Sequence, residues 1–427
     1  RRFTVSDSRR SLYQAKIIAP PGFKVALRCR RAINGLKQSG RLWWKTNLDI
    51  MERIKFHRID ASWSVYRRIR EDGSIDLAGL FVDDFLLLSS SPSPTACAEI
   101  VDELKGFYDI CFLSPIKTFL GVNVEQDEKS ITMSMPLYIA TCLERFDLLG
   151  IYTKKSPMII DLDKHDGSDE PELLDREGSS NFRSMVGALL FLTNTCRPDV
   201  AFASSCFLAR SMASPTSSAL DTAKRVWLYL AGSTNQCLLY RSSKACEEET
   251  LPHLVAYVDS DWATDLERRC STTGYVFFFA GAPVSWRSSL QSITTLSSTE
   301  AEYLALADAG KEAIYFCDII NDLGIIKVDA PLPLFEDNKG AIDLAHNPKF
   351  HSRTKHIDIR HHFIRDCVEH KVISIQKVGT NDNIADGFTK PLGGAQFKLF
   401  AKLIMDVIKP TTKRATQSLT ASSTTLH

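Results

Sequence analysis

The alternation of apolar and polar positions divides the chain into stretches of different periodicity. Residues 75–88 are apolar except for a few positions, among them the pair Asp83-Asp84, and predict two buried strands meeting at an acidic turn. A Ser/Pro run over 89–94 ends them, and 95–106 has the spacing of an amphipathic helix. Residues 118–124 and 130–135 predict a second hairpin, with 126–129 as its turn. From 182 to 230 the pattern is helical: 182–193 and 198–212 are apolar-rich, with Arg197-Pro198 between them, and 218–230 is amphipathic. Beyond a polar stretch at 242–250, a strand is expected at 254–259 and a hairpin at 274–279 and 283–287. A long helix at 299–320 and a short strand at 332–336 follow. Helical stretches at 338–346 and 357–369, a strand at 372–378 and an amphipathic helix at 394–407 complete the series. Three antiparallel strands, then helix, strand, helices, strand and helix describe an α/β layer around a mixed sheet.

Composition adds limits. The 427 residues, 44% hydrophobic and 24% charged, supply apolar material for two or three packed domains. They exclude a disordered chain, a collagen-like repeat and a disulfide-stapled miniprotein. No stretch approaches the ~18–20 uninterrupted apolar residues of a membrane span. Eleven cysteines without a Cys-x-x-Cys suggest a reducing compartment and ordinary buried thiols. The chain opens on Arg1-Arg2-Phe3, with neither an initiator Met nor a signal-peptide core, and a fragment of something longer is expected.

The net charge of +1 conceals a polarised chain. Residues 1–70 hold 18 Lys/Arg against 4 Asp/Glu, interleaved with Trp43, Trp44, Phe56, Trp63 and Tyr66. Such a block can track a phosphate backbone, or can simply be a solvated surface over a core. Residues 161–180, with eight acids and two bases, read as a linker, and the Thr/Ser-rich tail after Pro410 as disordered.

Four acids stand where they could converge: Asp259 at the end of one apolar strand, Glu302 near the start of the long helix, Asp337 directly after the strand 332–336, and Asp386 after the last strand. Gathered carboxylates repel one another unless a cation lies between them, and Mg²⁺ prefers such hard oxygen ligands. Two ions about 3.5–4 Å apart could activate water and stabilise the departing oxygen of a phosphodiester. Any one of these acids could instead be a cap or turn residue, as Asp337-Asn338 could be for the following helix. His346, His351, His356, His361 and His362 with Cys367 have spacings of five, which do not present ligands on one helix face as a zinc site would require.

Several of these segments carry a family resemblance. Tyr257-Val258-Asp259-Ser260-Asp261-Trp262-Ala263, Ser271-Thr272-Thr273-Gly274-Tyr275, the stretch Leu296–Tyr303, Asp337-Asn338-Lys339-Gly340-Ala341, Lys355-His356-Ile357-Asp358-Ile359-Arg360, and Ala385-Asp386 with Thr389-Lys390-Pro391 resemble the ribonuclease H domain of copia-type retrotransposon polyproteins. Upstream, Pro20-Pro21-Gly22-Phe23, the stretch 32–39, Phe81-Val82-Asp83-Asp84 and Phe119-Leu120-Gly121 resemble the reverse transcriptase of the same polyproteins, and 182–192 and 196–201 the segment joining the two. The resemblance implies a multidomain α+β and α/β chain. Its parts would be a truncated reverse transcriptase palm and thumb start without fingers (1–160), an acidic linker and helical connection (161–250), a ribonuclease H-like domain with a five-stranded mixed sheet (251–409), and the tail (410–427).

It also implies two-metal hydrolysis of the RNA strand of an RNA–DNA hybrid. Asp259, Glu302, Asp337 and Asp386 would hold two Mg²⁺ or Mn²⁺ ions, with Glu300 the alternative to Glu302, two residues and about 200° around the helix. Asp83 and Asp84 would hold the polymerase ions. Lys37, Gln38 and Arg41 would approach template-primer or nucleotide, and Ser298 and Asn338, with Ser260 and Thr299, would contact the hybrid. Phe81 stands where the family usually has Tyr, and Gly40 where it often has Pro. The family's third polymerase acid has no match, Asp7 being a poor substitute, so little polymerase activity is expected of the chain alone. The implied location is cytoplasmic, in a virus-like particle, or nuclear, with no membrane partner. Two other readings stay open: a non-catalytic nucleic-acid-binding relic of a transposable element, and a fold retained for protein contacts.

Overall fold

The computed structural model describes residues 37–159, 172–242, 254–263, 269–324, 330–346 and 363–407. Asp7, the Pro20-Pro21-Gly22-Phe23 motif, His351, His356, His361, His362 and the tail after Pro410 lie outside the described residues, as does 161–171 of the acidic stretch. The chain divides into two compact units. One is drawn from the residues up to Arg58, Ser64–Phe81 and Leu87–Ile110, the other from Ile59–Trp63, Val82–Leu86 and Cys111 onward.

The first unit is built on α1 (Ser39–Arg53), β1 (His57–Arg58), β2 (Val65–Ile69), β3 (Ile75–Phe81), the second half of β4 (Asp84–Ser89) and α2 (Ala96–Lys105), and the strands are ordered β1-β2-β3-β4. Met51, Phe56, Tyr66, Ala78, Ile100 and Leu104 are its fully buried apolar side chains. One carboxylate is also fully buried there. Asp76 on β3 accepts from Arg68 Nε at 3.0 Å, Arg70 Nε at 2.8 Å and Ser89 Oγ at 2.6 Å. The two arginines reach on to Glu103 and Glu99 of α2, so one buried anion ties β2, β3, β4 and α2 together. Removing one partner of such a buried set costs about 3–5 kcal/mol. The expected burial of both strands holds less well for β4, the last strand of the order, whose Leu88 is 52% exposed.

The second unit opens with β5 (Thr118–Phe119), β6 (Val122–Gln126), β7 (Ser130–Ser134) and α3 (Pro136–Arg145). The single strand expected at 118–124 is broken at Leu120-Gly121, both at positive φ, into two short strands paired with each other. Next come α4 (Arg176–Thr193), capped by Asp175, and α5 (Ser217–Gly232), capped by Thr216. Between them, 198–212 is wound as 3₁₀, π and 3₁₀ turns rather than as a regular helix. Its first turn is held tight by Pro198 and by the buried pair Arg197–Asp199, at 2.7 Å, to which Tyr229 donates at 2.6 Å. β8 (Gln236–Arg241), which periodicity did not predict, pairs with β7.

The remaining elements are β9 (Leu254–Asp261), β10 (Thr272–Phe279), β11 (Ala282–Leu290), α6 (Ser298–Leu323), β12 (Leu332–Glu336), α7 (Lys339–His346), the helical residues 363–369 (α8), β13 (Ile373–Lys377), α9 (Gly394–Ile404) and β14 (Asp406–Val407). β11-β10-β9-β12-β13 form a mixed five-stranded sheet, antiparallel across β11, β10 and β9 and parallel across β9, β12 and β13. This is the architecture that the ribonuclease H resemblance implies. Tyr275 and Phe277 of β10 enter a core with α6, α7 and α8, while Val276 enters the core shared with α4, α5 and α9. Both faces of the sheet are therefore covered, and its central strands read as apolar runs rather than as strict alternation. The helix expected over 394–407 stops at Ile404, because the chain then turns extended and pairs as β14 with β8. Among the described residues no helix is long and apolar enough to cross a membrane.

Candidate metal centre

Parallel pairing sets the site. β9 and β12 run side by side in the register Ala256 to Leu334 and Tyr257 to Phe335, so two residues further on Asp259 and Asp337 come level at the same end of the sheet. The ends of parallel strands are where open α/β sheets place their ligands. α6 packs across this end. It starts at Ser297, whose hydroxyl accepts from Glu300 N at 3.2 Å, while the Glu300 carboxylate accepts from Leu296 N at 2.6 Å. That is a reciprocal cap, with both side chains engaged by the helix start. Glu302, two residues on, is turned inward, 6% exposed, and accepts from the backbone N–H of Ser260. Asp259, Glu302 and Asp337 each bring a carboxylate oxygen to within 4.8 Å of the others.

Asp386 arrives from another direction, on the short helix Ile384–Phe388. Asn383 fixes that turn by donating to Val258 O at 2.9 Å and accepting from Ala385 N at 3.1 Å. Gly274, opposite Asp259 on β10, makes the approach possible, since a Cβ there would lie 2.6 Å from Thr389 Cγ2 and 2.8 Å from Phe388 Cβ. Thr389 donates its hydroxyl proton to Asp259 Oδ2. Asp386 lies close enough for its charge to be the largest raising Asp259, but it is outside the 4.8 Å set and its Oδ1 receives Lys390 Nζ at 2.8 Å.

One member of the group was not picked out from the sequence. Glu336, the last residue of β12, is fully buried and accepts from Asn338 N at 2.9 Å. The signal was present: Leu332, Leu334 and Glu336 alternate on the buried side of the strand. Burial raises the pKa of Asp259, Glu302 and Glu336, and the neighbouring carboxylates raise each further: Asp386 for Asp259, Glu336 for Glu302, and Asp259 for Glu336. Glu302 Oε2 and Glu336 Oε2 are buried with no hydrogen-bond partner among the described residues. Buried anions left uncompensated are strongly destabilising, so the arrangement favours a cation or retained protons. Oxygen-only donors of this kind suit a hard divalent ion.

The other expected site residues are distributed as follows. Asn338 Oδ1 accepts from Ala341 N at 3.0 Å and caps α7, while Ser298 is exposed in the first turn of α6. Ser260 Oγ is buried without a hydrogen-bond partner among the described residues. Lys37, Gln38 and Arg41 are exposed at the start of α1. Asp83 and Asp84 are exposed at the tip joining β3 and β4, and among the described residues they join no group of three metal-ligating side chains.

A family model described as "Reverse transcriptase (RNA-dependent DNA polymerase)" matches residues 10–160. The chain is 31% identical over 414 residues to the retrovirus-related Pol polyprotein from transposon TNT 1-94 of Nicotiana tabacum, covering 94% of this chain and 30% of that polyprotein. It thus spans less than a third of that relative's length. It is 32% identical over 280 residues to a putative transposon Ty5-1 protein of Saccharomyces cerevisiae, covering 65% of this chain and 86% of that protein. Among solved structures, the foamy viral protease-reverse transcriptase in complex with RNA/DNA hybrid aligns at 14% identity and a TM-score of 0.43, covering 91% of this chain and 42% of that one. With most of the Ty5-1 protein matched at this identity, the chain belongs to the copia-type retrotransposon Pol polyprotein family.

Proposed function

We propose that the mixed-sheet part of the chain is a ribonuclease H that hydrolyses the RNA strand of an RNA–DNA hybrid at Asp259, Glu302, Asp337 and Asp386. The observation that carries this reading is the convergence of Asp259, Glu302 and Asp337 within 4.8 Å, beside the buried, unpartnered oxygens of Glu302 and Glu336. Bound Mg²⁺ or Mn²⁺ would supply a nucleophilic water at neutral pH and charge stabilisation for the leaving oxygen. The chain's own part is to hold the carboxylates. Ser260 N–H orients Glu302, Thr389 Oγ1 orients Asp259, and the backbone N–H of Asn338 holds Glu336 beneath Asp337. Ser298, exposed on the first turn of α6, is offered to the hybrid's sugar-phosphate edge. In the same reading Asp83 and Asp84 serve template-primer synthesis in the parent polyprotein, and the nuclease is the activity assigned to this chain.

The test is the full chain with labelled RNA–DNA hybrid and Mg²⁺. Cleavage of the RNA strand by the wild type, abolished in Asp259→Asn, is the expected result. A well-folded wild type that binds hybrid in a salt-sensitive way but never cuts it would favour the non-catalytic relic.

A further inference from the structure

The carboxylates of this centre fall into two halves that differ in what already faces them. Asp259, Glu302 and Asp337 form the tight set. Buried oxygens without a well-directed hydrogen bond occur on both halves, on Glu302 and Glu336 and on Asp386 Oδ1. Asp386, on the other half, is already engaged by a cation of the chain itself. Lys390 follows it by four residues and places Nζ 2.8 Å from Asp386 Oδ1. A lysine side chain is positively charged at neutral pH. Its side chain is 37% exposed, and its four-methylene stem leaves the head room to swing toward solvent. An exposed Lys–Asp pair is usually worth little. This one sits beside a buried carboxylate cluster, where a positive charge interacts more strongly than in bulk water.

We infer that Lys390 is a built-in cation that competes with a divalent ion for Asp386. In the absence of nucleic acid the chain then takes one divalent ion readily at Asp259, Glu302 and Asp337, and a second only when the ammonium leaves Asp386. This rests on the metal-centre reading above and adds to it an order of filling set by one side chain.

The experiment titrates Mn²⁺ alone into the full chain, followed by calorimetry and by the Mn²⁺ electron-spin signal. The wild type is expected to bind one ion well and a second weakly. Lys390→Met, which keeps the stem and removes the charge, is expected to tighten the second ion by about tenfold, equivalent to about 1.4 kcal/mol, and to change the first far less. Lys390→Gln should act in the same direction if the Met variant folds poorly, and Lys390→Arg should keep the wild-type pattern because a guanidinium can still pair with Asp386. A second-ion affinity that is equal in wild type, Met and Gln variants overturns the inference. A wild type without a first ion, or one whose first ion survives Asp259→Asn, instead sinks the metal-centre reading, and that result is visible before Lys390 is changed.

Discussion

Two places in this chain present acids at the end of apolar strands, and they differ in almost every physical respect. At the β3–β4 tip, Asp83 and Asp84 are exposed, and their neighbours Phe81 and Val82 are 55% and 62% exposed. Val82 has φ of 54°, a left-handed conformation that a β-branched residue rarely adopts, so the tip is held in an unusual shape. At the end of β9 and β12, acids drawn from four separate stretches are gathered against one another, and Asp259, Glu302 and Glu336 are buried. An acid on an exposed turn keeps its water. An acid folded against other acids must find a cation or a proton. The chemistry therefore depends on convergence and burial, which no single short motif encodes.

The largest expected effect tests that contrast directly. Asp259→Asn, Glu302→Gln and Asp337→Asn should each lower hybrid cleavage by at least three orders of magnitude, about 4 kcal/mol at ~1.4 kcal/mol per tenfold. Asp83→Asn and Asp84→Asn should leave cleavage at the wild-type rate. Equal losses in both groups, read in one gel assay, would erase the distinction.

A second effect concerns stability and pH. The folded-state pKa values of Asp259, Glu302 and Glu336 are raised, Asp259 to about 7. Unfolded carboxyls titrate near about 4. Between those values the folded chain holds more protons than the unfolded one, so in metal-free buffer stability falls as pH rises from about 4 through about 7. A divalent ion replaces the protons. Added Mg²⁺ at a hundredfold excess over its Kd should therefore stabilise the chain by about 2.7 kcal/mol at pH 8, and the same Mg²⁺ concentration by less at pH 5. Asp259→Asn should reduce both the pH slope and the Mg²⁺ response. A pH-independent Mg²⁺ response in the wild type would count against this origin.

The third effect is steric. Gly274→Ala would press a methyl against Thr389 and Phe388 and push away the turn bearing Asp386, whereas Gly187→Ala on α4 would meet nothing within 4 Å. Overpacking of the first kind costs about 1–3 kcal/mol. Chemical denaturation of the two variants, with cleavage measured in parallel, should find both stability and rate reduced only at 274.

How much of this was legible follows from which interactions are local. β12 was placed at 332–336, and α6 within a few residues of its ends, because a buried strand and a capped helix each carry their own period. β8 and β14 were not, since their partners are distant in sequence and neither carries a strong period of its own. The four acids of the candidate site could be singled out one by one from their positions at element ends. The alternation Leu332, Leu334, Glu336 marks Glu336 as buried, but its part in the acid group, like that of Lys390, comes from what stands opposite it across the fold. Asp386 was expected after the last strand and sits on a 3₁₀ turn fixed by a side chain, Asn383, bonded to the distant Val258.

The smallest effect is the most discriminating for α6, where Glu300 and Glu302 are two residues apart. Glu300 accepts from Leu296 N at 2.6 Å and serves the helix start, while Glu302 faces Asp259 and Asp337. Glu300→Ala removes one cap acceptor and a negative charge from the helix N-terminus, and leaves the Ser297 cap in place. Its cost should be about 0.5–1 kcal/mol in denaturation. Hybrid cleavage and the Mn²⁺ titration should stay within about twofold of wild type, a change under ~0.5 kcal/mol. The same truncation at Glu302 should abolish both, because it removes a carboxyl of the metal-binding set. If Glu300→Ala instead cost cleavage as deeply as Glu302→Gln, the helix would have to present its first turn, and not its inward face, to the metal, and the separation between capping and chemistry on α6 would fail.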